Sequence, residues 1–181
     1  MRIAKVRPII HVVGPSIAYV ELKDGKFCLI EREDAVLVGD RNWTLHVRPP
    51  KGKKKARETV ISGFKDSQTG RFRNIQMSRM LLDFPEGLFV DHKNTNTLDN
   101  RRANLRKANP NQNAHNCRIS TRSTTGVKGV GWCARKNSFR VQVAANGTYR
   151  WVGYFPDIDS ATAAYRQASI EMHGEFARPE G

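Results

Sequence analysis

Acidic residues are scarce. The 181-residue chain holds 17 Asp and Glu against 31 Lys and Arg, a formal net charge of +14 at pH 7. From Asn100 to Pro156 there is no acid, while eleven basic residues fall in that stretch: Arg101, Arg102, Arg106, Lys107, Arg118, Arg122, Lys128, Arg135, Lys136, Arg140 and Arg150. A solvated surface normally mixes the two signs, so a segment this one-sided is suited to a polyanion. A basic protein with no specific target, such as a ribosome-associated one, shows the same balance. A membrane surface fits less well, because no basic amphipathic helix is evident.

Cysteine is sparse too. Cys28, Cys117 and Cys133 form no CxxC pair, which excludes a disulfide framework or a structural zinc site. The expected location is reducing and cytoplasmic. Long apolar runs are missing. The N-terminal residues lack the ~7–15-residue apolar run of a signal peptide, and nothing approaches the ~18 apolar residues of a membrane span. Hydrophobic residues make up 39% of the chain, too few for a large core and too many for disorder. Compact modules joined by polar segments follow, with no internal repeat and no organic cofactor expected.

What is present reads as α+β. Ile17–Leu22 and Phe27–Ile30 flank the turn Lys23-Asp-Gly-Lys and suggest a hairpin. Asp34–Val38 is a strand or a short helix. Trp43–Val47, Thr59–Phe64 and Arg71–Met77 are further strands, with a lysine-rich loop at residues 49–55 and a short helix from Ser78 to Leu82. Residues 116–125 are polar, basic and aperiodic, a linker able to run along DNA. Beyond it, Val127–Trp132, Ser138–Val143 and Tyr149–Phe155 alternate as strands, with Asn146-Gly147 as a hairpin turn. Asp157 is placed to cap a helix over 158–173 that Gly174 ends. Ala161, Ala164, Tyr165, Ala168 and Met172 fall at helical spacing and suit packing on the sheet.

The segment Val90-Asp-His-Lys-Asn-Thr-Asn-Thr-Leu-Asp-Asn-Arg-Arg-Ala-Asn-Leu-Arg, followed by Asn109-Pro-Asn-Gln-Asn-Ala-His-Asn, carries the chemistry. Asp91 and His92 stand side by side at a strand end. A carboxylate is a hard donor suited to Mg²⁺, and a neutral imidazole takes a proton from water near pH 7. Neighbouring Asn residues supply amide oxygens. Asp99, Asn100 and Arg101 read as caps of a turn in the long loop. Arg101, Arg102 and Arg106 either bind phosphate or brace that loop. His115 is a surface residue or an accessory ligand.

The stretch from about Met77 to Asn116 resembles HNH endonucleases of the homing type found in phages and mobile introns. The resemblance implies a ββα-metal motif: a strand at Val90–His92, a second at Asn104–Lys107, and a helix from Pro110 to about Asn116. It implies Asp91 and Asn113 as ligands of one Mg²⁺ or Mn²⁺ per site. It implies His92 as general base and Asn104 as the residue that orients its imidazole. Relatives carry Met-His-Arg upstream, whereas this chain has Met77-Ser78-Arg79. A serine cannot replace an imidazole as proton donor.

Residues 126–176 resemble the APETALA2/ethylene-response-factor DNA-binding domain, through Gly126-Val-Lys-Gly-Val, Trp151-Val-Gly-Tyr-Phe and Ala161-Thr-Ala-Ala-Tyr-Arg-Gln-Ala. The resemblance implies a three-stranded antiparallel sheet laid in the DNA major groove with a helix behind it. Alternation gives the same faces: Phe139, Val141 and Val143 toward the helix, Arg140, Gln142 and Ala144 outward with Tyr149 and Trp151. Trp151 is also readable as core. The DNA-contact candidates are Lys128, Trp132, Arg135, Arg140, Gln142, Tyr149 and Trp151. Four segments follow: a β-rich region at 1–76, the nuclease core at 77–116, a linker at 117–125 and the DNA-binding module at 126–176. The expected function is metal-dependent cleavage of double-stranded DNA. The alternative is a DNA-binding regulator with a weakened nuclease core.

Overall fold

The computed structural model describes residues 8–50, 56–115, 123–145 and 147–177. The chain divides into two compact units, one ending at Lys107 and one beginning at Ala108. The lysine cluster at 51–55, most of the expected linker, and Asn146 lie outside the described residues.

The first unit is mostly strand. β1 (Ile10–Val13), β2 (Ile17–Glu21) and β3 (Phe27–Glu31) form an antiparallel sheet in that order. The alternation of β2 and β3 buries Ala18, Val20, Cys28 and Ile30 on one face, as a half-solvated antiparallel sheet requires. Asp34–Val38 is a 3-10 turn running into a single helical turn, α1 (Ala35–Val38). β4 (Thr44–Arg48), β5 (Arg57–Lys65) and β6 (Phe72–Gln76) make a second antiparallel sheet. α2 (Met77–Leu81) follows, then the short pair β7 (Phe89–His92) and β8 (Leu105–Ala108).

Segments expected as separate, 1–76 and 77–116, share a core. Val20, Ile30, Trp43 and Val60 pack with Met77, Met80, Leu81 and Leu105 in one buried cluster. Trp43 is fully buried, and its Nε1 donates to the Val38 carbonyl at 3.0 Å. The apolar stripe of the residues after 76 therefore has its burial partner in the N-terminal sheets. Cys28 sits in this core with its thiol pushed up to about 12 by burial, so it is an inert packing group.

The second unit holds α3 (Pro110–His115), the sheet β9 (Val130–Cys133), β10 (Ser138–Ala145) and β11 (Thr148–Phe155), and α4 (Ile158–His173). Sheet order is β11-β10-β9, all antiparallel. Val141, Val143, Ala161, Tyr165 and Ala168 make the core between sheet and helix, and Ala164 is only half-buried. Asp157 caps α4, its Oδ1 accepting from Ser160 N at 2.8 Å. Gly129 is required where it stands: its φ is +70°, and a Cβ there would lie 2.3 Å from the Tyr165 ring and 2.4 Å from the Gln142 carbonyl. The close approach of loop, sheet and helix depends on that missing side chain. Strand, strand and helix thus follow one another along the chain as β7, β8 and α3, with α3 in the second unit.

Candidate functional site

β7 ends in Asp91 and His92, and the long loop to β8 is a lattice of short polar side chains. Asn104 donates through Nδ2 to Asn94 Oδ1 at 3.0 Å and to the Asp99 carbonyl at 2.7 Å. Its Oδ1 accepts from Asn94 N at 3.0 Å. Asn94 Nδ2 donates to Asp99 Oδ2 at 2.8 Å, and Asn96 and Asn94 accept from backbone amides two residues on. Asn is the residue type that closes such turns on its own backbone, which is why the loop is asparagine-rich. Thr95 takes a positive φ of 60° within it.

This loop is fastened to the N-terminal sheet. Leu29 N donates to the Leu98 carbonyl at 2.7 Å, and Asn100 N donates to the Leu29 carbonyl at 2.8 Å. The Glu31 carboxylate accepts from Arg102 N at 3.1 Å and Ala103 N at 3.2 Å. It thereby caps the 3-10 turn Arg102–Asn104, whose first amides have no partner of their own. The Arg102 guanidinium grips Asp34 at 2.7 Å, and that of Arg101 grips Asp99 at 2.8 Å. Asp99 is accordingly held below the usual carboxylate range, chiefly by the Arg101 side chain.

The imidazole of His92 meets Asn100, with Nε2 and Oδ1 3.2 Å apart. Asn100 is buried, and its Nδ2 donates to the Thr97 carbonyl at 3.1 Å. That bond fixes the amide so that its oxygen faces the ring. An amide oxygen only accepts, so Nε2 carries the proton and Nδ1 is the basic nitrogen. Burial lowers the His92 pKa below its ordinary value, against the opposing pull of Asn100, Asp91 and Asp99. A neutral ring with a fixed tautomer is what a general base needs. Asn104, expected at the imidazole, is engaged one step away, holding the loop that carries Asn100. Asn100, read from sequence as a turn cap, is the amide on the ring. Only the fold separates the two asparagines.

Asp91 is buried on β7 and paired with Arg106 of β8: Nε and Nη2 approach Oδ2 at 2.8 and 2.7 Å, both side chains being 8% exposed. Among the described residues no group of three or more His, Cys, Asp or Glu gathers as a metal cluster. Asp91 supplies a single carboxylate, a hard oxygen donor of the kind a divalent cation such as Mg²⁺ takes together with several waters. It does not suit a closed zinc site. Asn113 lies on α3, whose first turn is capped reciprocally by Asn109 and Gln112, each side-chain oxygen accepting from the other's backbone N at 2.8 Å.

Residues 83–120 match the family model described as HNH endonuclease. Protein 3.8 of Escherichia phage T7 is 32% identical over 94 residues, covering 52% of this chain and 77% of that protein. The chain belongs to the family of that phage protein and carries an HNH endonuclease domain. A protein of Acanthamoeba polyphaga mimivirus described as an uncharacterized HNH endonuclease is 33% identical over 95 residues, 52% of this chain and 48% of that protein. This chain therefore spans about half the length of the mimivirus relative. No solved structure matches the chain.

Asp91, His92, Asn100, Asn104, Arg106 and Asn113 all lie within the HNH match, whereas Leu29, Glu31 and Asp34, which anchor its loop, lie outside it. Also outside is the upstream Ser78, buried on α2. Arg79, beside it, donates to the Leu88 and Pro85 carbonyls at 2.8 and 2.7 Å and braces the turn before β7.

The other candidates stand on the sheet behind α4. Arg140 is exposed and its side chain crosses Gly131, where a Cβ would come within 3.2 Å of its Nε. Gln142 is half-buried. Tyr149 and Trp151 are 70% and 51% exposed, so Trp151 is a surface residue. A bulge in β11 lets Gly153 oppose Val141 and Trp151 oppose Gln142. The extra residue brings Tyr154 to the outward face, where its ring meets Trp151 edge-on at 4.8 Å. Strict alternation from Tyr149 hides Tyr154, because a bulge leaves no mark in the period. Trp132 opposes Phe139 in register and touches its ring at 4.9 Å, so it belongs to the opposite face, at its margin. Arg135 is exposed in the 3-10 turn after β9, and Lys128 is half-buried before it.

Among the described residues no helix is long and apolar enough to cross a membrane.

Proposed function

We propose that the chain is a metal-dependent endonuclease of the homing type that hydrolyses phosphodiester bonds in double-stranded DNA. The carrying observation is His92: a half-buried imidazole with its pKa lowered, its tautomer fixed by Asn100, beside Asp91 at the same strand end. His92 Nδ1 takes the proton of an attacking water while the water oxygen bonds to phosphorus and the bond to the 3′ oxygen breaks. When bound, Mg²⁺ or Mn²⁺ would supply charge neutralisation at the phosphate and at the departing 3′ oxygen. Asp91 is the ligand that the first unit offers, and Asn113 is the second on the family pattern alone. Asn104 positions Asn100 through the loop. Arg101, Arg102 and Arg106, each seated on a carboxylate, brace the site in preference to binding phosphate.

The C-terminal sheet is the proposed DNA reader, in the manner of an APETALA2 domain. Arg140 and Gln142 have the chemistry to read base edges. Tyr149, Trp151 and Tyr154 supply apolar contact, and Lys128 and Arg135 contact phosphate. An exposed aromatic cluster beside arginine is costly without a partner.

The second reading, a DNA-binding regulator with a silent core, draws on Ser78 in the place of an upstream imidazole. Incubating the full chain with supercoiled plasmid and Mg²⁺ decides between them. Nicked or linear product, lost in EDTA, supports the nuclease; tight binding with intact plasmid supports the regulator.

A further inference from the structure

The sheet β4-β5-β6 lies within the first unit and takes no part in the site above. Its register sorts its side chains into two faces. Leu45, Val60, Ser62 and Ile75 face the core. The other face carries His46 and Arg48 from β4, Arg57 and Lys65 from β5, and Phe72 and Asn74 from β6, all exposed. No acidic residue occupies a position on it, since Glu58 points to the opposite side. Among the described residues Arg48, Arg57 and Lys65 form no ion pair.

Two features set this face apart from an ordinary solvated one. Arg48 and Arg57 stand directly opposite each other, and like charges so placed destabilise a sheet. An anion between them turns the repulsion into a shared contact. Phe72 is 84% exposed directly opposite Lys65. Along β5, Arg57 and Lys65 are eight residues apart, about 27 Å on an extended strand. Cations spread over that length fit an extended rigid polyanion; duplex DNA presents a charge every ~1.7 Å of its axis. Single-stranded RNA is typically held by paired stacking aromatics, and this face has one.

We propose that the outward face of β4-β5-β6 is a second DNA-binding surface, which holds duplex phosphates through Arg48, Arg57 and Lys65. This rests on the reading of the chain as a DNA nuclease and gives the unit bearing His92 its own grip on substrate.

The test is duplex binding by the full chain across a salt series, read by fluorescence anisotropy. Three proteins are compared: the parent, the triple variant Arg48→Ala/Arg57→Ala/Lys65→Ala, and Arg140→Ala/Trp151→Ala. The triple variant should lower the slope of log affinity on log salt by about 0.9 per lost contact, with affinity falling about a hundredfold near ~0.15 M salt. Its melting temperature should hold or rise, since a like-charge pair is removed. Arg48→Lys/Arg57→Lys should keep the parental slope, separating charge from fold. Parental slope and affinity in the triple variant, with loss in Arg140→Ala/Trp151→Ala, overturns this surface and leaves the nuclease reading standing. A loss confined to single-stranded RNA also overturns it. Failure of the parent to bind duplex at all removes both readings together.

Discussion

The asparagine-rich loop at His92 and the C-terminal sheet solve opposite problems with different polar residue types. Around Asn94, Asp99, Asn100 and Asn104 the described side chains are saturated by one another and by the backbone. On the face of β10 and β11, Arg140, Tyr149, Trp151 and Tyr154 are turned to solvent. The first arrangement fixes a geometry and leaves nothing to give a ligand beyond the imidazole and carboxylate it positions. The second fixes little and offers much. Rigidity belongs where bonds are to break, and unsatisfied surface where a partner is to bind.

The largest effect separating the two should come from His92→Ala. Removing a general base costs on the order of 10²–10⁴ in rate, and duplex affinity should hold within about twofold. An equal loss of affinity would erase the division between regions. Next, Asn104→Ala should lower thermal stability, because it strands buried partners at roughly 1–3 kcal/mol each. Asn100→Ala should mainly lower kcat with KM held, because it frees the ring. If both variants fall equally in stability and kcat, the amides act as one brace. Within the second unit, Gly129→Ala should cost about 1–3 kcal/mol, since φ is +70° and the new methyl meets backbone and ring; a calorimetric scan checks it. Trp151→Ala and Tyr154→Ala should leave that melting unchanged and weaken duplex binding about tenfold, ~1.4 kcal/mol. A fall in melting temperature would return Trp151 to the core.

The smallest effect is on pH dependence. The Asp99 carboxyl is depressed in the folded protein by Arg101. Its contribution is therefore present above the unfolded value, ~3.9, and is lost as pH falls through the lower folded value. Arg101→Gln should narrow the difference in unfolding free energy between neutral and strongly acid solution. An unchanged difference would mean that the ion pair adds nothing to the loop.

Local elements were legible because their signals are local. The α4 boundaries follow from Asp157 and Gly174, and the strand at Asp91-His92 from its apolar approach and motif. Long-range partners were not. Nothing in Glu31 announces that it caps a turn at Arg102, and nothing in the spacing tells Asn100 from Asn104. Arg106 reads equally as a phosphate contact or a brace of the loop until the fold shows it buried against Asp91. Tyr154 was lost to a bulge. In each case the deciding fact is a neighbour distant in sequence or a break in period.

Glu31 and Arg102 are 71 residues apart in the chain. Contacts of such separation form late, after the entropy of closing the intervening chain has been met. The loop that presents Asn100 to His92 is thus seated on a sheet built from residues far upstream of it. During synthesis the receiving sheet emerges before the loop. A fragment that lacks the N-terminal sheet keeps Asp91, His92, Asn100 and Asn104 in its sequence but loses the Leu29, Glu31 and Asp34 contacts that arrange them.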